Sequence, residues 1–436
     1  MQNKSIINKF PFFYGYVILL SGTVGVLLSA PGQTVGISVF TDFLISDLNI
    51  SRSNLSLTYL IGTLLSSFLL TYAGRFYDKF GAQITSMLAG FFLGLSLLYL
   101  SALTNLVEIF KEFSNSNDTD IIVFILLTIG FFFVRFFGQG TLTMSSKNMV
   151  MKWFTKRRGM ASAIMGIAIS FGFSYSPKVF DDIIFNYGWQ SAWQFIGLFI
   201  GIIFVLFAFI TFRDNPEQYG LQPDGHDINT KGKNTPKFQP DKNYTLNEAR
   251  STYIFWMFNL TLSLQALYIT ALTFNIVDIF TSAGLSREDA ILIFLPVSVI
   301  AVVFQFAGGY LADIIRLKYL LIVELIGILI STIGLVFLSD GIPLYLIIIG
   351  NGIAGGLFGV VSTVSWPRFF GTEHLGEISG FNMSWIVGGS AIGPYLFNLL
   401  SDSNGNYFLA GIVMLLFCLL LIIFSLKINH TNPSVT

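Results

Sequence analysis

The chain has 436 residues, of which 53% are hydrophobic, 16% aromatic and only 11% charged, with a mean hydropathy of +0.71. Soluble domains carry about 25% charged residues, so a soluble enzyme of ordinary composition is excluded, and a chain this apolar is not disordered. Lys and Arg number 24 and Asp and Glu 24, which leaves no net charge to attract nucleic acid, and a single cysteine, Cys418, excludes an internal disulfide framework.

A helix needs about 20 apolar residues to cross the hydrocarbon core of a bilayer. Twelve stretches meet that length. The first six cover 14–41, 54–73, 84–103, 121–147, 159–180 and 189–212; the last six cover 252–278, 290–311, 319–338, 343–365, 377–400 and 407–426. The first is too long and too glycine-rich for a signal peptide. None alternates polar with apolar residues as a barrel strand does. The predicted fold is therefore all-α and polytopic, with twelve transmembrane helices. Between the two sets lies a polar segment with Asn215-Pro216 and Pro223-Asp224-Gly225, which reads as a linker. The expected organisation is an N-terminal six-helix bundle (1–212), a linker (213–250) and a C-terminal six-helix bundle (251–436).

Lys and Arg collect on the cytoplasmic side of membrane proteins. With the N-terminus inside, 19 of the 24 fall there, four (Arg52, Lys111, Lys178 and Arg287) fall outside, and Arg135 lies within a span. Both termini and the linker are thus expected in the cytoplasm, and 104–120 as a polar loop outside. The three histidines, His226, His374 and His430, are scattered, and no Cys/His cluster offers a metal site. No nucleophile–base set and no G-x-x-x-x-G-K-[ST] phosphate loop appears. An enzyme, a nucleotide-driven pump and a bound cofactor are not expected.

The two sets of six repeat one another. Ser51-Arg52 precedes the second span and Ser286-Arg287 the eighth, 235 positions on; Gly74 and Asp78 follow the second span and Gly309 and Asp313 the eighth, at the same offset. Later the offset becomes 217, pairing Gly159 with Gly376, Gly172 with Gly389 and Pro177 with Pro394. An insertion in 104–120 accounts for the change. Two parallel repeats form a transporter architecture with its solute site near the midplane.

The loop after the second span, Gly74-Arg75-Phe76-Tyr77-Asp78-Lys79-Phe80-Gly81, reads as G-x-x-x-D-[RK]-x-G. The fourth span holds Arg135-Phe136-Phe137-Gly138-Gln139-Gly140. With both motifs in these places, the chain resembles the major facilitator superfamily. Within it, Tyr14-Gly15-Tyr16, Lys152-Trp153-Phe154 with Arg157-Arg158-Gly159, Arg368-Phe369-Phe370-Gly371 and His374-Leu375-Gly376 are similar to the monocarboxylate transporter and oxalate/formate antiporter branch. The resemblance implies two pseudo-symmetric bundles working by alternating access on a small solute, in a monomer surrounded by lipid in the plasma (inner) membrane. It also implies that the motif loops are gate latches: Gly74, Asp78, Lys79 and Gly81 in the first copy, Gly309, Asp313 and Arg316 in the second. The first copy departs from the family pattern, with Ala82-Gln83 in place of a basic pair.

Arg135 stands about 21 Å into its span at 1.5 Å per residue, where a charge costs at least about 2.5 kcal/mol. It must face protein or water, and Gln139 shares its face one turn on. The resemblance makes Arg135 a substrate or ion-coupling residue; an arginine satisfied by backbone carbonyls is the alternative. Gln305 stands where many relatives of that branch have an arginine, and the eleventh span has no Lys or Arg. A dianion such as oxalate is thus disfavoured, and an organic monoanion, a monocarboxylate above all, is the expected solute, with a neutral or zwitterionic solute or a non-transporting sensor as alternatives. Further solute contacts are expected from Gln33, Thr34, Tyr59, Gln265, Tyr268, Asn351, Asn382 and Trp385. Glu324, six residues past Lys318, is expected to reach back toward the cytoplasm.

Overall fold

The computed structural model describes residues 11–114, 119–225, 240–401 and 406–428. His226, His430 and 226–239 of the linker lie outside them. All helical and turn elements and no strands appear among the described residues. Among the described residues, ten helices are long and apolar enough to cross a membrane. One of these, Arg52–Ser101, has 50 residues, more than twice what a crossing needs. Gly81, at φ +79° and ψ 175°, breaks it. Its two parts are separate crossings, 52–80 and 82–101. A further helix, Leu375–Leu400, has 26 residues, and its polar residues, Asn382 and Ser384 among them, keep its hydropathy below that of the ten.

The crossings are α1 (Gly15–Leu27), α2 (52–80), α3 (82–101), α4 (Asp120–Trp153), α5 (Arg158–Tyr187), α6 (Trp189–Thr211), α7 (Tyr253–Phe274), α8 (Arg287–Ile314), α9 (Leu317–Val336), α10 (Ile342–Phe370), α11 (Leu375–Leu400) and α12 (Phe408–Leu426). Helices without a hydrophobic drive between them associate through small residues. α9 and α10 show this: Gly350 lies against the backbone of Gly327 and Ser331, so a Cβ on Gly327 would stand 2.9 Å from Ala354 N and 3.0 Å from Gly350 O.

The chain forms two compact units. One comprises Met1–Trp153, Ala168–His226 and Ser379–Ser384; the other comprises Phe154–Ile167, Asp227–Ile378 and Trp385–Thr436. The start of α5 therefore belongs with the second unit and an early stretch of α11 with the first. Residues 162–167 and Ser379–Ser384 are separated by the 217 positions of the sequence repeat.

Three local expectations change. The expected polar loop 104–120 contains a helix, Leu103–Ser114, because Leu103 and Val107, one turn apart, have a face to bury. α4 runs on to Trp153, so Lys147 lies within the helix and not at its end. Glu324 does not reach the surface. It is 0% exposed, because α9 packs on α10, α12 and α7 and its face at 324 is covered.

Candidate functional site

Helix α1 breaks near its end. After Leu27 the chain makes a 3-10 turn, Ala30–Gly32, with Pro31 in its first turn. Gln33 is extended (φ −86°, ψ 157°), and a short helix Thr34–Ser38 follows. A break of this kind frees backbone carbonyls that an unbroken helix would use. Gly32 O is one, and Arg135 Nη1 donates to it at 3.1 Å. The approach is close, since a Cβ on Gly32 would stand 2.6 Å from Val134 O and 2.8 Å from Gly138 Cα.

Arg135 opens a π-helical stretch of α4, Arg135–Leu142, a distortion that recurs at functional positions. The residue is 1% exposed. Its Nη1 also reaches Thr34 Oγ1 at 3.4 Å, and its Cζ lies 5.1 Å from the centre of the Tyr59 ring. Tyr59 and Thr34 share a hydrogen bond of 2.8 Å. Nε and Nη2 have no protein partner among the described residues. The buried Oε1 of Gln139 has none either. Beside this centre Gln33 Nε2 donates to Ser29 Oγ at 3.0 Å and Thr143 Oγ1 at 3.2 Å, tying the break in α1 to α4. The first unit thus gathers Arg135, Tyr59, Thr34, Gln33 and Gln139 around one broken helix.

The remaining expected contacts lie elsewhere. Tyr268 is fully buried and uses its hydroxyl on Ser331 at 2.7 Å. Gln265 and Asn351 are buried, with Gln265 Oε1 and Asn351 Oδ1 unpartnered among the described residues. The amide of Gln305 packs on Gly166 and Gly359. Trp385, 40% exposed, makes an edge contact with Trp256 at 5.6 Å. Asn382 is buried in the stretch of α11 that belongs with the first unit.

The second motif loop shows a helix-capping contact. Asp313 accepts from the backbone N–H of Gly159 at 2.8 Å and of Met160 at 3.1 Å, where a helix start favours a carboxylate. Gly309 makes room for this, because a Cβ there would meet Ala163 Cβ and Gly159 O. Arg316 is exposed just before α9. Arg368 donates to Ala312 O and Ile315 O, closing the end of α8. Arg158 donates to Pro367 O at 3.3 Å. In the first copy, Gly81 supplies the positive φ between α2 and α3. Lys79 Nζ lies 5.2 Å from the centre of the Phe80 ring, and Gly74 Cα lies where a Cβ on Gly380 would stand 3.2 Å away.

One partner in this loop was not foreseen. Asp214 accepts from Ala82 N at 3.1 Å, at the start of α3, and both its oxygens lie 3.0 Å from Lys152 Nζ. Both side chains are largely buried. The signal for Lys152 was its Lys-Trp-Phe motif; Asp214 carried none beyond following α6 directly.

No curated protein matches the sequence. Among solved structures, the proton:xylose symporter XylE bound to 6-bromo-6-deoxy-D-glucose is similar at a TM-score of 0.68 and 17% identity, with 96% of each chain covered. The E. coli fucose:proton symporter FucP is similar at 0.65 and 13%, over 94% of this chain and 98% of that one. At these identities the likeness is one of fold. The family model of the Major Facilitator Superfamily matches residues 22–350. That match covers most of the chain: the protein belongs to the Major Facilitator Superfamily, and is a multi-pass membrane transporter that works by alternating access.

Proposed function

We propose that the solute is a small organic monoanion, a monocarboxylate above all, held by Arg135. The observation that carries this reading is the free edge of the guanidinium. Nη1 is engaged by Gly32 O and Thr34, while Nε and Nη2 are buried without a partner among the described residues. Those two nitrogens form one side of the guanidinium fork, and the two oxygens of a carboxylate match such a side with two parallel hydrogen bonds. Arg135 has no carboxylate partner among the described residues, so an anionic solute would complete a buried charge otherwise costly to maintain. Gln139 supplies a neutral contact beside it, and Gln33 and Tyr59 hold its surroundings in place. Gln265, Gln305, Asn351, Asn382 and Trp385 are proposed as contacts from the second half, with Tyr268 as a support. The loops around Asp78 and Asp313 act as latches, and both termini face the cytoplasm of the plasma membrane.

The test is thermal stabilisation of the purified protein, since a ligand at 100 times its Kd adds about 2.7 kcal/mol. The panel is formate, acetate, lactate and pyruvate, with oxalate, alanine, xylose and fucose as contrasts. A monocarboxylate should raise the melting temperature of the wild type and not of Arg135→Gln. Stabilisation by xylose or fucose alone, equal in both proteins, would refute the anion reading.

A further inference from the structure

A carboxyl group outside the solute centre lies deep in the second unit. Glu324, in the first half of α9, is 0% exposed, and both of its oxygens lack a hydrogen-bond partner among the described residues. An ionised carboxylate left unpaired in a low-dielectric interior is very costly, and such a group takes up a proton instead.

The surroundings leave little else to neutralise it. α9 packs on α7, α8, α10 and α12. On α12 the titratable group is Cys418, whose Sγ is given to Leu325 O at 3.1 Å. On α10 they are Tyr345 and Arg368, near opposite ends of the helix. On α8, Asp313 is engaged by Gly159 and Met160, Tyr310 is exposed, and Arg287, Glu288 and Asp289 stand at the far end from Asp313. On α7, Tyr253 donates to Phe424 O and Tyr268 is bonded to Ser331. On α9 itself, Lys318 donates to Leu426 O and Ile428 O, and Tyr319 is exposed.

One neutral group stands at the same level. Tyr253 and Lys318 both lie by the end of α12, and further along Tyr268 meets Ser331, so α7 and α9 run side by side in the same direction. Seven residues before that meeting stand Thr261 on α7 and Glu324 on α9. Seven residues are about two turns, so these two share a level and corresponding faces. Thr261 is also fully buried, and its hydroxyl, like the Glu324 carboxyl, has no hydrogen-bond partner among the described residues, so the two are not bonded to each other.

We propose that Glu324 is a proton-binding site, and that the second ligand of this transporter is a proton. A sodium ion is a poorer occupant, since metal cations take several oxygen ligands. α9 is unbroken and frees no carbonyls, and no cluster of three acidic, His or Cys side chains exists among the described residues. The position also suits coupling. Gly327, one turn beyond Glu324, lies against the backbone of α10. α10 in turn accepts from the start of α5 through Gly359 O and Pro367 O. Ionising Glu324 requires water beside it, hence a parting of α9 from its neighbours, and that parting would loosen the hold on α5.

The proton site is independent of the solute; its coupling to solute movement rests on the transport reading above. Glu324→Gln mimics the protonated group. At neutral pH the wild type should show an infrared carbonyl stretch of a protonated carboxyl that Glu324→Gln lacks and Glu324→Asp shifts. The wild-type melting temperature should fall toward alkaline pH more steeply than that of Glu324→Gln, because the folded state holds a proton that the unfolded chain releases. Identical infrared spectra and parallel melting profiles would overturn the site. If Glu324→Gln does not fold, the wild-type band followed through an alkaline titration and its shift in Glu324→Asp decide the same question. In proteoliposomes, the panel carboxylate that stabilises the protein most should accumulate under an inward proton gradient in the wild type. Glu324→Gln should exchange it without accumulation. Accumulation that ignores the gradient in the wild type would overturn the coupling, and a panel in which no member stabilises the protein would refute the solute reading while leaving the proton site decided by the spectra.

Discussion

Replacing Arg135 by Lys keeps the charge and loses the planar fork, whereas Arg135→Gln leaves a bound anion without its cation. Affinity for the stabilising carboxylate should fall by about 2–5 kcal/mol in Arg135→Gln, by less in Arg135→Lys, and by about 1 kcal/mol in Gln139→Ala, which removes one neutral hydrogen bond. Calorimetric titration of the four proteins checks the order; unchanged affinity in Arg135→Gln with a lowered melting temperature would mark a structural arginine. The charge of Arg135 was legible because it interrupts an apolar run. Its engagement by Gly32 O was not, since that carbonyl is freed only by the break at Gln33, and Pro31-Gly32 is a faint signal for it. The burial of Glu324 was misread for a related reason: distance from Lys318 along the chain says nothing of which neighbours cover that face. Lys152 and Asp214 show the same limit, as their pairing across 62 positions has no local trace. Lys152→Ala should destabilise the protein by about 3 kcal/mol, the lower end for breaking a buried pair, and Lys152→Ala with Asp214→Ala by less, as read from melting temperatures.

Helix boundaries follow from the same forces at a larger scale. Gly81 permits the positive φ that turns α2 into α3, and its Cβ would lie 3.3 Å from Asp214 Cγ. Gly81→Ala should therefore cost about 1–2 kcal/mol, measurable as a lower melting temperature. In the second copy the corresponding contact is electrostatic. Asp313→Asn removes a charge worth up to about 2 kcal/mol at a helix start, and should change turnover while the protein still folds; wild-type turnover in both Asp313→Asn and Asp78→Asn would show that neither loop is a latch. The linker ends in a short helix, Leu246–Arg250, with a capping box between Thr245 and Glu248. Lys242, then the Thr245 N–H and hydroxyl, hold the Glu248 carboxyl down at about 2. Because it is depressed, its contribution is present above the ordinary carboxylate range and is lost as pH falls from about 4.5 toward 2. Amide exchange across 245–250 should quicken over that window in the wild type and not in Glu248→Gln.

For the whole molecule, long runs of mostly apolar residues marked the crossings, although the polar residues of α11 keep its hydropathy below that of the others, and the shift of offset from 235 to 217 was legible in glycines, aspartates and prolines alone. The structure adds that residues 162–167 and Ser379–Ser384, again 217 apart, group with the opposite unit, which no periodicity in one sequence could show. Orientation rests on charge: 19 of 24 basic residues fall on the side of the linker, and moving such charges outward is disfavoured during insertion. Cys418 is fully buried, so an introduced cysteine can be read against a quiet background. Asn105, exposed in the helix Leu103–Ser114, and Gln222, exposed in the linker, are suitable positions. In intact cells an impermeant thiol reagent should label Asn105→Cys and leave Gln222→Cys unmodified until the membrane is permeabilised. The reverse pattern would invert the topology, and would then place the linker, the two motif loops and the Asp313 contact on the outer face, where a latch at these loops would close the opposite gate.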